Sequence, residues 1–166
     1  MIDYPQPRDV EAILDLSVAT EFFRPDEIAV IRELIEKYFD QIREMGPAGA
    51  DSGEYIWVVY RDDADGRALG YACYGGVEMS EDVYDLYWIA VDPRYQGKKV
   101  GSALLQYVEE DMVRRNARQL YIETADTAQY APTRAFYVRR GYEEVAHMTD
   151  FYRPGDGKVV YRKVFR

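Results

Sequence analysis

The stretch VYDLYWIAV at positions 83–91 constrains the fold of this chain more than any other segment. It is apolar nearly throughout, which is typical of a strand buried on both faces at the centre of a sheet. A loop containing Gly97 and Gly101 follows directly. From about Val100 to about Arg115, apolar residues then recur on one helical face, namely Val100, Leu104, Tyr107, Val108 and Met112. The pattern predicts a central strand, a loop and an amphipathic helix in succession.

The segments ahead of this central strand predict two helices and a hairpin. One helix is expected to begin near Asp9 and a second at Pro25, where acidic residues in the first turn suit the positive end of the helix dipole. The stretch MGPAGADSG is predicted to break the chain after the second helix. EYIWVVYR and ALGYACYGG then flank DDADG, whose Asp-Gly pair is typical of a β-hairpin turn.

The segments after the long helix predict a second, shorter helix between strands. QLYIET is expected to form a strand, and PTRAFYVRR a short helix with Pro132 at its first position and Gly141 as its C-terminal cap. YEEVAHMTDFY and KVVYRKVF predict two last strands around RPGDG. The order of elements predicts an α/β (α+β) fold, with a mixed sheet flanked by helices on both faces. The 166 residues fit one domain, 1–166.

Composition excludes several classes of function. A formal net charge of −9 disfavours nucleic-acid binding, which needs a cationic face. Cys73 is the only cysteine and His147 the only histidine, so an intrachain disulfide, a cysteine-based zinc site and a histidine-rich metal site are excluded, and no metal is expected. No apolar run approaches membrane-spanning length, and the N-terminus has no signal-peptide pattern. We therefore expect a cytoplasmic protein that binds neither nucleic acid nor membrane.

The loop before the long helix gathers positive charge in an acidic chain. Its cations surround Gly97 and Gly101, and they are Arg94, Lys98 and Lys99. Backbone N–H groups at a helix N-terminus bind anions readily, and three cations match a diphosphate. The G-x-G-x-x-G pattern is absent, and so is the P-loop pattern, because Ser102 follows Gly101. The alternative is an ordinary glycine-containing turn that enters a helix.

Two motifs resemble those of the GNAT N-acyltransferase superfamily. LYWIAVDPRYQGKKVGSALL resembles its acyl-coenzyme A loop, [QR]-x-x-G-x-[GA] after a strand ending in Val-Asp-Pro, and the matching residues are Gln96, Gly97, Lys98, Val100 and Gly101. RAFYVRRGYEEV resembles its second signature, Phe-Tyr-x-x-x-Gly-[FY], carried by Phe136, Tyr137, Gly141 and Tyr142. The motifs have the family's order and separation, so the resemblance implies a GNAT-like, mostly antiparallel sheet whose central parallel strands splay apart.

The resemblance also implies how acetyl-coenzyme A would bind as co-substrate. Backbone groups of Ile89 and Val91 would pair with the pantetheine arm, and one N–H would polarise the thioester carbonyl. The pyrophosphate would lie on the N–H groups from Gln96 to Ser102. The implied coenzyme-binding residues are Ile89, Ala90, Val91, Gln96, Gly97, Lys98, Lys99, Val100, Gly101, Ser102 and Tyr137.

Lys99 departs from the family pattern, because the family usually has glycine at this position. The lysine must therefore adopt a backbone geometry that normally tolerates no Cβ, or the loop must shift. We hypothesise that its ammonium compensates by meeting a phosphate of the coenzyme, either the diphosphate or the adenosine 3′-phosphate.

For the chemistry, the resemblance implies a general acid and a general base. Tyr137 resembles the family's acid, which protonates the departing thiolate. The alternative for Tyr137 is a half-buried aromatic residue that packs on the sheet. Asp85 lies where related transferases often carry a catalytic glutamate, and burial in its apolar strand would raise its pKa and make it a better base. The alternative for Asp85 is a carboxylate that faces solvent at the end of a strand. Glu123 is the second candidate base, and an exposed strand position is the alternative for it.

The predicted function is transfer of an acetyl group from acetyl-coenzyme A to a primary amine of a small molecule or peptide, by direct attack in a ternary complex. The aromatics expected to border the acceptor are Phe22, Phe23, Tyr84, Tyr87, Phe151 and Tyr152. The alternative is a non-catalytic acyl-coenzyme A-binding regulatory domain, which needs the loop but neither Asp85 nor Tyr137. A nucleotide-diphosphate binder of another fold lacks its glycine fingerprint. Exposed strand edges in such sheets often pair, which would allow a homodimer.

Overall fold

The computed structural model describes residues 1–52 and 54–166. Within them, the strands are β1 (Ile2–Asp3), β2 (Ile56–Arg61), β3 (Ala68–Gly76), β4 (Val83–Val91), β5 (Gln119–Ala125), β6 (Glu143–Arg153) and β7 (Asp156–Val164). The helices are α1 (Asp9–Ala19), α2 (Pro25–Met45), α3 (Gly49–Ser52), α4 (Val100–Arg114) and α5 (Ala131–Arg139). Of the helices in these residues, none is long and apolar enough to cross a membrane.

The sheet has seven strands in the order β1-β2-β3-β4-β5-β7-β6. The pair β4–β5 is parallel, whereas β1–β2, β2–β3, β5–β7 and β6–β7 are antiparallel. The predicted mixed, mostly antiparallel sheet is therefore confirmed. The parallel ladder runs from the pair Val83–Gln119 to the pair Leu86–Ile122, and β4 continues beyond it to Val91. The part of β4 from Tyr87 to Val91 thus lies beyond this ladder, and the splay of the central strands stays a prediction.

The chain forms two compact units, which are described separately below. The first comprises residues 1–75 and 88–111, and the second comprises residues 76–87 and 112–166. The chain passes from one unit to the other three times, before the last residue of β3, within β4 and within α4.

In the first unit, helices pack on both faces of β3. Successive strand residues point to opposite faces, so Gly70 and Tyr71 mark the two sides. On one side the hydroxyls of Tyr71 and Ser17 of α1 are hydrogen-bonded at 2.7 Å. On the other side a Cβ added at Gly70 would lie 3.1 Å from the Leu104 side chain of α4. The expected flanking of the sheet by helices on both faces is therefore found in this unit.

The helices largely follow the predicted periodicity. The buried residues of α2 are Ile31, Leu34, Ile35 and Tyr38, which recur at the spacing of one helical face. The buried residues of α4 are Val100, Leu104, Leu105, Val108, Asp111 and Met112. Tyr107, which we expected on the buried face, is only half-buried, and Leu105 is buried instead.

Three local expectations were wrong or incomplete. The sequence did not predict β1, whose two residues pair with Tyr60 and Val59 of β2. The stretch MGPAGADSG, which we expected to break the chain, contains the short helix α3. The last residue of this stretch, Gly53, lies outside the described residues. Pro132 is the second residue of α5 rather than the first, because the helix begins at Ala131 after a 3₁₀ turn.

In the second unit, β5, β7 and β6 form an antiparallel sheet with α5 preceding β6 in sequence. Every residue of β6 except the half-buried Ala146 is exposed, as expected for a strand at the end of the sheet order. His147 of β6 is exposed and pairs with Asp126 at 2.9 Å.

A buried ion pair anchors the start of α1 in the first unit. Arg61 of β2 donates to both carboxylate oxygens of Asp9, at 3.0 and 2.8 Å, and to Asp3 at 2.7 Å. Arg61 and Asp9 are 6% and 5% exposed. Burial is the largest single influence and would raise the pKa of Asp9, but the hydrogen bonds from Arg61 and from the N–H of Gln6, together with the charges of Arg61 and Arg8, hold this pKa below its usual value. The charged form of Asp9 therefore stabilises the fold.

We expect the substitution Asp9→Asn to lower the free energy of unfolding by about 3 kcal/mol at pH 7, because it leaves a buried guanidinium short of its counter-ion. Since the folded-state pKa of Asp9 is depressed, this contribution is present above the unfolded value near 3.8 and is lost as the pH falls below it. Urea denaturation at several pH values measures the effect. Glu33→Gln, which removes an exposed pair with Lys37, is the control and should cost less than about 1 kcal/mol. Equal losses in both variants would contradict the assignment.

Candidate active site

The loop after β4 begins with a capped 3₁₀ turn at Pro93–Tyr95. The side chain of Asp92 accepts a hydrogen bond from the backbone N–H of Arg94 at 2.9 Å, and the N–H of Asp92 donates to the carbonyl of Leu69 at 2.9 Å. Asp92 is 6% exposed. The three residues Val-Asp-Pro therefore end the strand β4 and begin the turn. The backbone hydrogen bond of Asp92 to Leu69 connects this point of the chain to β3.

The three cations of the loop are not equivalent. Arg94 is held by Asp92, with Nη2 2.6 Å from Oδ2, and this pairing keeps the pKa of Asp92 below its usual value against the opposing effect of burial. Lys98 lies with its Nζ 4.6 Å from the centroid of the Tyr95 ring. Our expectation that all three cations match a diphosphate therefore needs revision for Arg94, whose charge is balanced within the loop.

The backbone of the loop turns twice into the left-handed region. Gly97 has φ +76° and Lys99 has φ +67°. A lysine thus adopts the conformation that favours glycine, at the position where the sequence motif usually has glycine. The first bond of α4 runs from the N–H of Ala103 to the carbonyl of Lys99 at 2.9 Å. The N–H groups of Val100, Gly101 and Ser102 are therefore the free donors of the first helical turn, where anions bind.

The end of β4 approaches β3 closely in the first unit. A Cβ added at Gly70 would lie 2.8 Å from the carbonyl oxygen of Ala90, so only glycine fits there without a shift. Ala90 is buried, whereas Ile89 and Val91 are half-buried. Gly70 thus fixes the position of the backbone from Ile89 to Val91, which is the segment expected to pair with pantetheine.

In the second unit, Asp85 is half-buried on the first half of β4. Burial raises the pKa of its carboxyl, the negative charge of Glu123 raises it further, and the positive charge of Lys158 lowers it. The shift has the direction that we expect for a base in an apolar strand. The alternative, a carboxylate that faces solvent at a strand end, is met in part, because Asp85 is the third residue of β4 but is half-buried.

Glu123, the second candidate base, is engaged in an ion pair. Its Oε2 lies 2.7 Å from the Nζ of Lys158, and the two side chains are 52% and 13% exposed. The Nζ of Lys158 also lies 4.1 Å from the ring centroid of Phe151 and 5.8 Å from that of Tyr152. Glu123 is therefore exposed, which was the alternative to a catalytic role for this residue, but its carboxylate is paired with the largely buried ammonium of Lys158.

Tyr137 lies on α5 among other aromatic rings in the second unit. Its ring centroid is 5.5, 5.8 and 5.9 Å from those of Phe136, Tyr142 and Tyr161. The residue is only 3% exposed, and burial raises the pKa of its phenol. The phenol therefore stays protonated at neutral pH, as a general acid must, although the same shift makes it a weaker acid.

The six aromatics expected at the acceptor site are divided between the units. Phe22 and Phe23 belong to the first, where the Phe23 ring meets that of Trp88 edge-on at 5.4 Å. The other four belong to the second unit. There Phe151 and Tyr152 are exposed and meet edge-on at 5.1 Å, whereas Tyr84 and Tyr87 are half-buried.

Sequence reasoning missed three residues that shape these sites. Asp92 was seen only as part of a motif, although a carboxylate before Pro is a common cap. Gly70 interrupts an otherwise apolar strand, which is a signal for close backbone approach. Lys158 gave a weaker signal, as a lone cation at the start of the apolar run KVVY.

Comparison with known proteins gives a family match over most of the chain. The model of the family described as "Acetyltransferase (GNAT) family" matches residues 13–142. The crystal structure of a protein assigned to this family, from Desulfovibrio desulfuricans, has a TM-score of 0.81 and 35% identity, and the alignment covers 99% of both chains.

Two characterised relatives match about half of the chain. The [ribosomal protein bS18]-alanine N-acetyltransferase of Escherichia coli K12 is 30% identical over 87 residues, which are 52% of this chain and 57% of the relative. The S-alkylcysteine N-acetyltransferase of Bacillus subtilis 168 is 39% identical over 80 residues, which are 48% of this chain and 43% of the relative. The matched parts thus span about half the length of these relatives.

We expect Lys99→Gly to raise the free energy of unfolding by about 1 kcal/mol, because glycine removes the steric cost of a Cβ in the left-handed region. Chemical denaturation of the protein without ligand measures the gain. Lys98→Gly is the matched control: Lys98 is not among the described residues with positive φ, and glycine there should lower stability slightly through the entropy of the unfolded chain. A loss of stability in Lys99→Gly would show that the left-handed conformation is not strained.

Proposed function

Because the chain belongs to the acetyltransferase (GNAT) family, we propose that it transfers an acetyl group from acetyl-coenzyme A to a primary amine, by direct attack in a ternary complex. The proposed acceptor is a small molecule or a peptide. The proposed active domain is 1–166, and the proposed location is the cytoplasm.

One observation carries the coenzyme assignment: the left-handed backbone at Gly97 and Lys99 that leads into the free N–H groups of α4. Such successive N–H groups form a concave anion site. Lys98 and Lys99 are exposed beside it, and Arg94 is already neutralised by Asp92. Two free positive charges and a helix N-terminus suit the diphosphate of coenzyme A, with the backbone from Ile89 to Val91 next to the pantetheine arm.

The acceptor amine must lose a proton before it attacks a thioester. A lysine-like amine with a pKa of about 10.4 needs roughly 4–5 kcal/mol for deprotonation at pH 7. Asp85 is the proposed base, since burial raises the pKa of its carboxyl towards the range useful for proton transfer. Tyr137 is the proposed acid for the departing thiolate, and its buried phenol keeps its proton at neutral pH.

The relatives suggest a class of acceptor. The names of both relatives specify the amino group of an amino-acid unit, alanine in a ribosomal protein and S-alkylcysteine. We propose an amine of this kind for the present chain, bordered by the aromatics named above. The proposal includes a homodimer, for which the exposed edge strand β6 offers unpaired backbone, and light scattering tests it.

A panel of amino acids, polyamines and short peptides with acetyl-coenzyme A, scored by release of free thiol, tests the function. Calorimetry with coenzyme A tests binding separately. Thiol release that depends on a primary amine supports the proposal. Binding of coenzyme A without transfer to any amine would favour the regulatory domain instead, and absence of binding would reject both.

We expect Tyr137→Phe to lower kcat by a factor of about 100 or more, because the thiolate then leaves without a proton donor. Affinity for acetyl-coenzyme A should change less than about twofold, since the ring remains in place. Tyr60→Phe, at a half-buried position of β2 with no proposed role, is the control for loss of a phenol. Unchanged turnover in Tyr137→Phe would remove the acid role from this residue.

We expect Lys99→Gly to weaken coenzyme A binding several-fold, even though it stabilises the fold, because one cation beside the phosphates is lost. Calorimetry with coenzyme A and with 3′-dephospho-coenzyme A identifies the phosphate. If the ammonium meets the 3′-phosphate, the variant and the original chain should bind the dephospho form equally. Unchanged or tighter binding of both forms by the variant would disprove the compensation.

A further inference from the structure

We propose that Lys158 is a positioning residue that sequesters the carboxylate of Glu123 and so leaves Asp85 as the carboxylate that takes the proton of the acceptor amine. The inference rests on the proposed acetyl transfer and decides between its two candidate bases. It uses only residues of the second unit.

The register of three strands brings these side chains to one face of the sheet. Asp85 of β4 pairs with Tyr121 of β5, and Glu123 lies two positions further along β5. Lys158 of β7 pairs with Ala125 of β5, which lies two positions beyond Glu123 on the same strand. Paired residues share a face and alternate residues along a strand share it too, so Asp85, Glu123 and Lys158 point to the same side.

The surroundings of Lys158 favour its ion pair with Glu123. The lysine side chain is only 13% exposed, and its Nζ lies over the Phe151 ring and near the Tyr152 ring. A largely buried ammonium needs a counter-ion, and its attraction to a carboxylate strengthens as water is excluded. Glu123 meets this need at 2.7 Å, and the two rings cover the ammonium from another side.

Asp85 has no such partner among the contacts that the described residues make with it. The charges that act on its carboxyl are Glu123 from β5 and Lys158 from β7, with opposite signs, while burial is the largest influence. The titratable groups beside it are Tyr121 on β5, and Tyr84 and Tyr87 on β4 itself. Asp85 is thus a half-buried carboxylate whose charge is only indirectly balanced, which is the state that favours accepting a proton.

The proton balance then requires one base. Asp85 accepts a proton from the acceptor ammonium, and the nitrogen lone pair that this frees forms the C–N bond with the thioester carbonyl carbon. The C–S bond breaks with its electron pair on sulfur, and Tyr137 protonates the thiolate. The second amine proton, released as the amide forms, restores Tyr137 directly or through solvent. Glu123 exchanges no proton and stays paired with Lys158.

Carboxyl-carbon NMR titration of Asp85 in the protein without substrate tests the arrangement independently of activity. Lys158→Met should raise the Asp85 midpoint by about one pH unit, because it removes the cation that favours the charged form. Lys158→Arg should restore the midpoint, and Glu123→Gln should move it down, because a repelling charge is lost. A midpoint that stays in place in both Lys158→Met and Glu123→Gln would overturn the proposal. If Lys158→Met does not fold, Glu123→Gln alone decides.

Turnover distinguishes the two carboxylates. Asp85→Asn should lower kcat about 100-fold or more, whereas Glu123→Gln should lower it less than about tenfold. In Lys158→Met the acid limb of the kcat profile should move to higher pH along with the Asp85 midpoint. A loss in Glu123→Gln as large as that in Asp85→Asn would also overturn the proposal. Failure of the original chain to acetylate any amine would instead reject the proposed function, and the titration would still report on the cluster.

Discussion

The short parallel pairing of β4 with β5 is the constraint on which the rest of the structure depends. A parallel pair cannot be closed by a tight turn, so the chain must leave the sheet through a loop and a helix and return. That crossover is the loop at Pro93–Lys99 and the helix α4. Since the ladder with β5 ends at Leu86 while β4 runs on to Val91, the same strand has a carboxylate in the paired part and backbone outside this ladder beyond it. Backbone groups outside a ladder need other partners, and a ligand can provide them.

The loop shows how a residue other than glycine can occupy a left-handed backbone position while the loop keeps its geometry. Lys99 adopts the left-handed conformation at a small steric cost, because the position is fixed from both sides. Upstream, Asp92 anchors the chain to β3 and caps the turn. Downstream, the Lys99 carbonyl accepts the first helical bond of α4. The conformation is imposed by its neighbours, so a lysine can bring a charge to a position that glycine would leave neutral.

The sequence was most informative where structure depends on local pattern. The bounds of β3 and β4 and the course of α4 followed from apolar periodicity and turn residues, because those signals lie within the element itself. The pairing of Arg94 with Asp92 did not follow, since the motif shows three cations but not which of them is already neutralised. The burial of Leu105 in place of Tyr107 and the strand β1 also escaped prediction. Both features depend on the element that packs or pairs with the segment rather than on the sequence of the segment itself.

The choice between Asp85 and Glu123 as the proposed base also depends on a residue outside their own segments. Both are carboxylates in apolar strands, and nothing in their own segments separates them. What separates them is Lys158, which the antiparallel pairing of β7 with β5 brings to the face that both share. A slip of one residue in that pairing would turn Lys158 to the opposite face and leave Glu123 as free as Asp85. The proposed identity of the base is therefore a consequence of strand register, which links the fold of the second unit directly to its proposed chemistry.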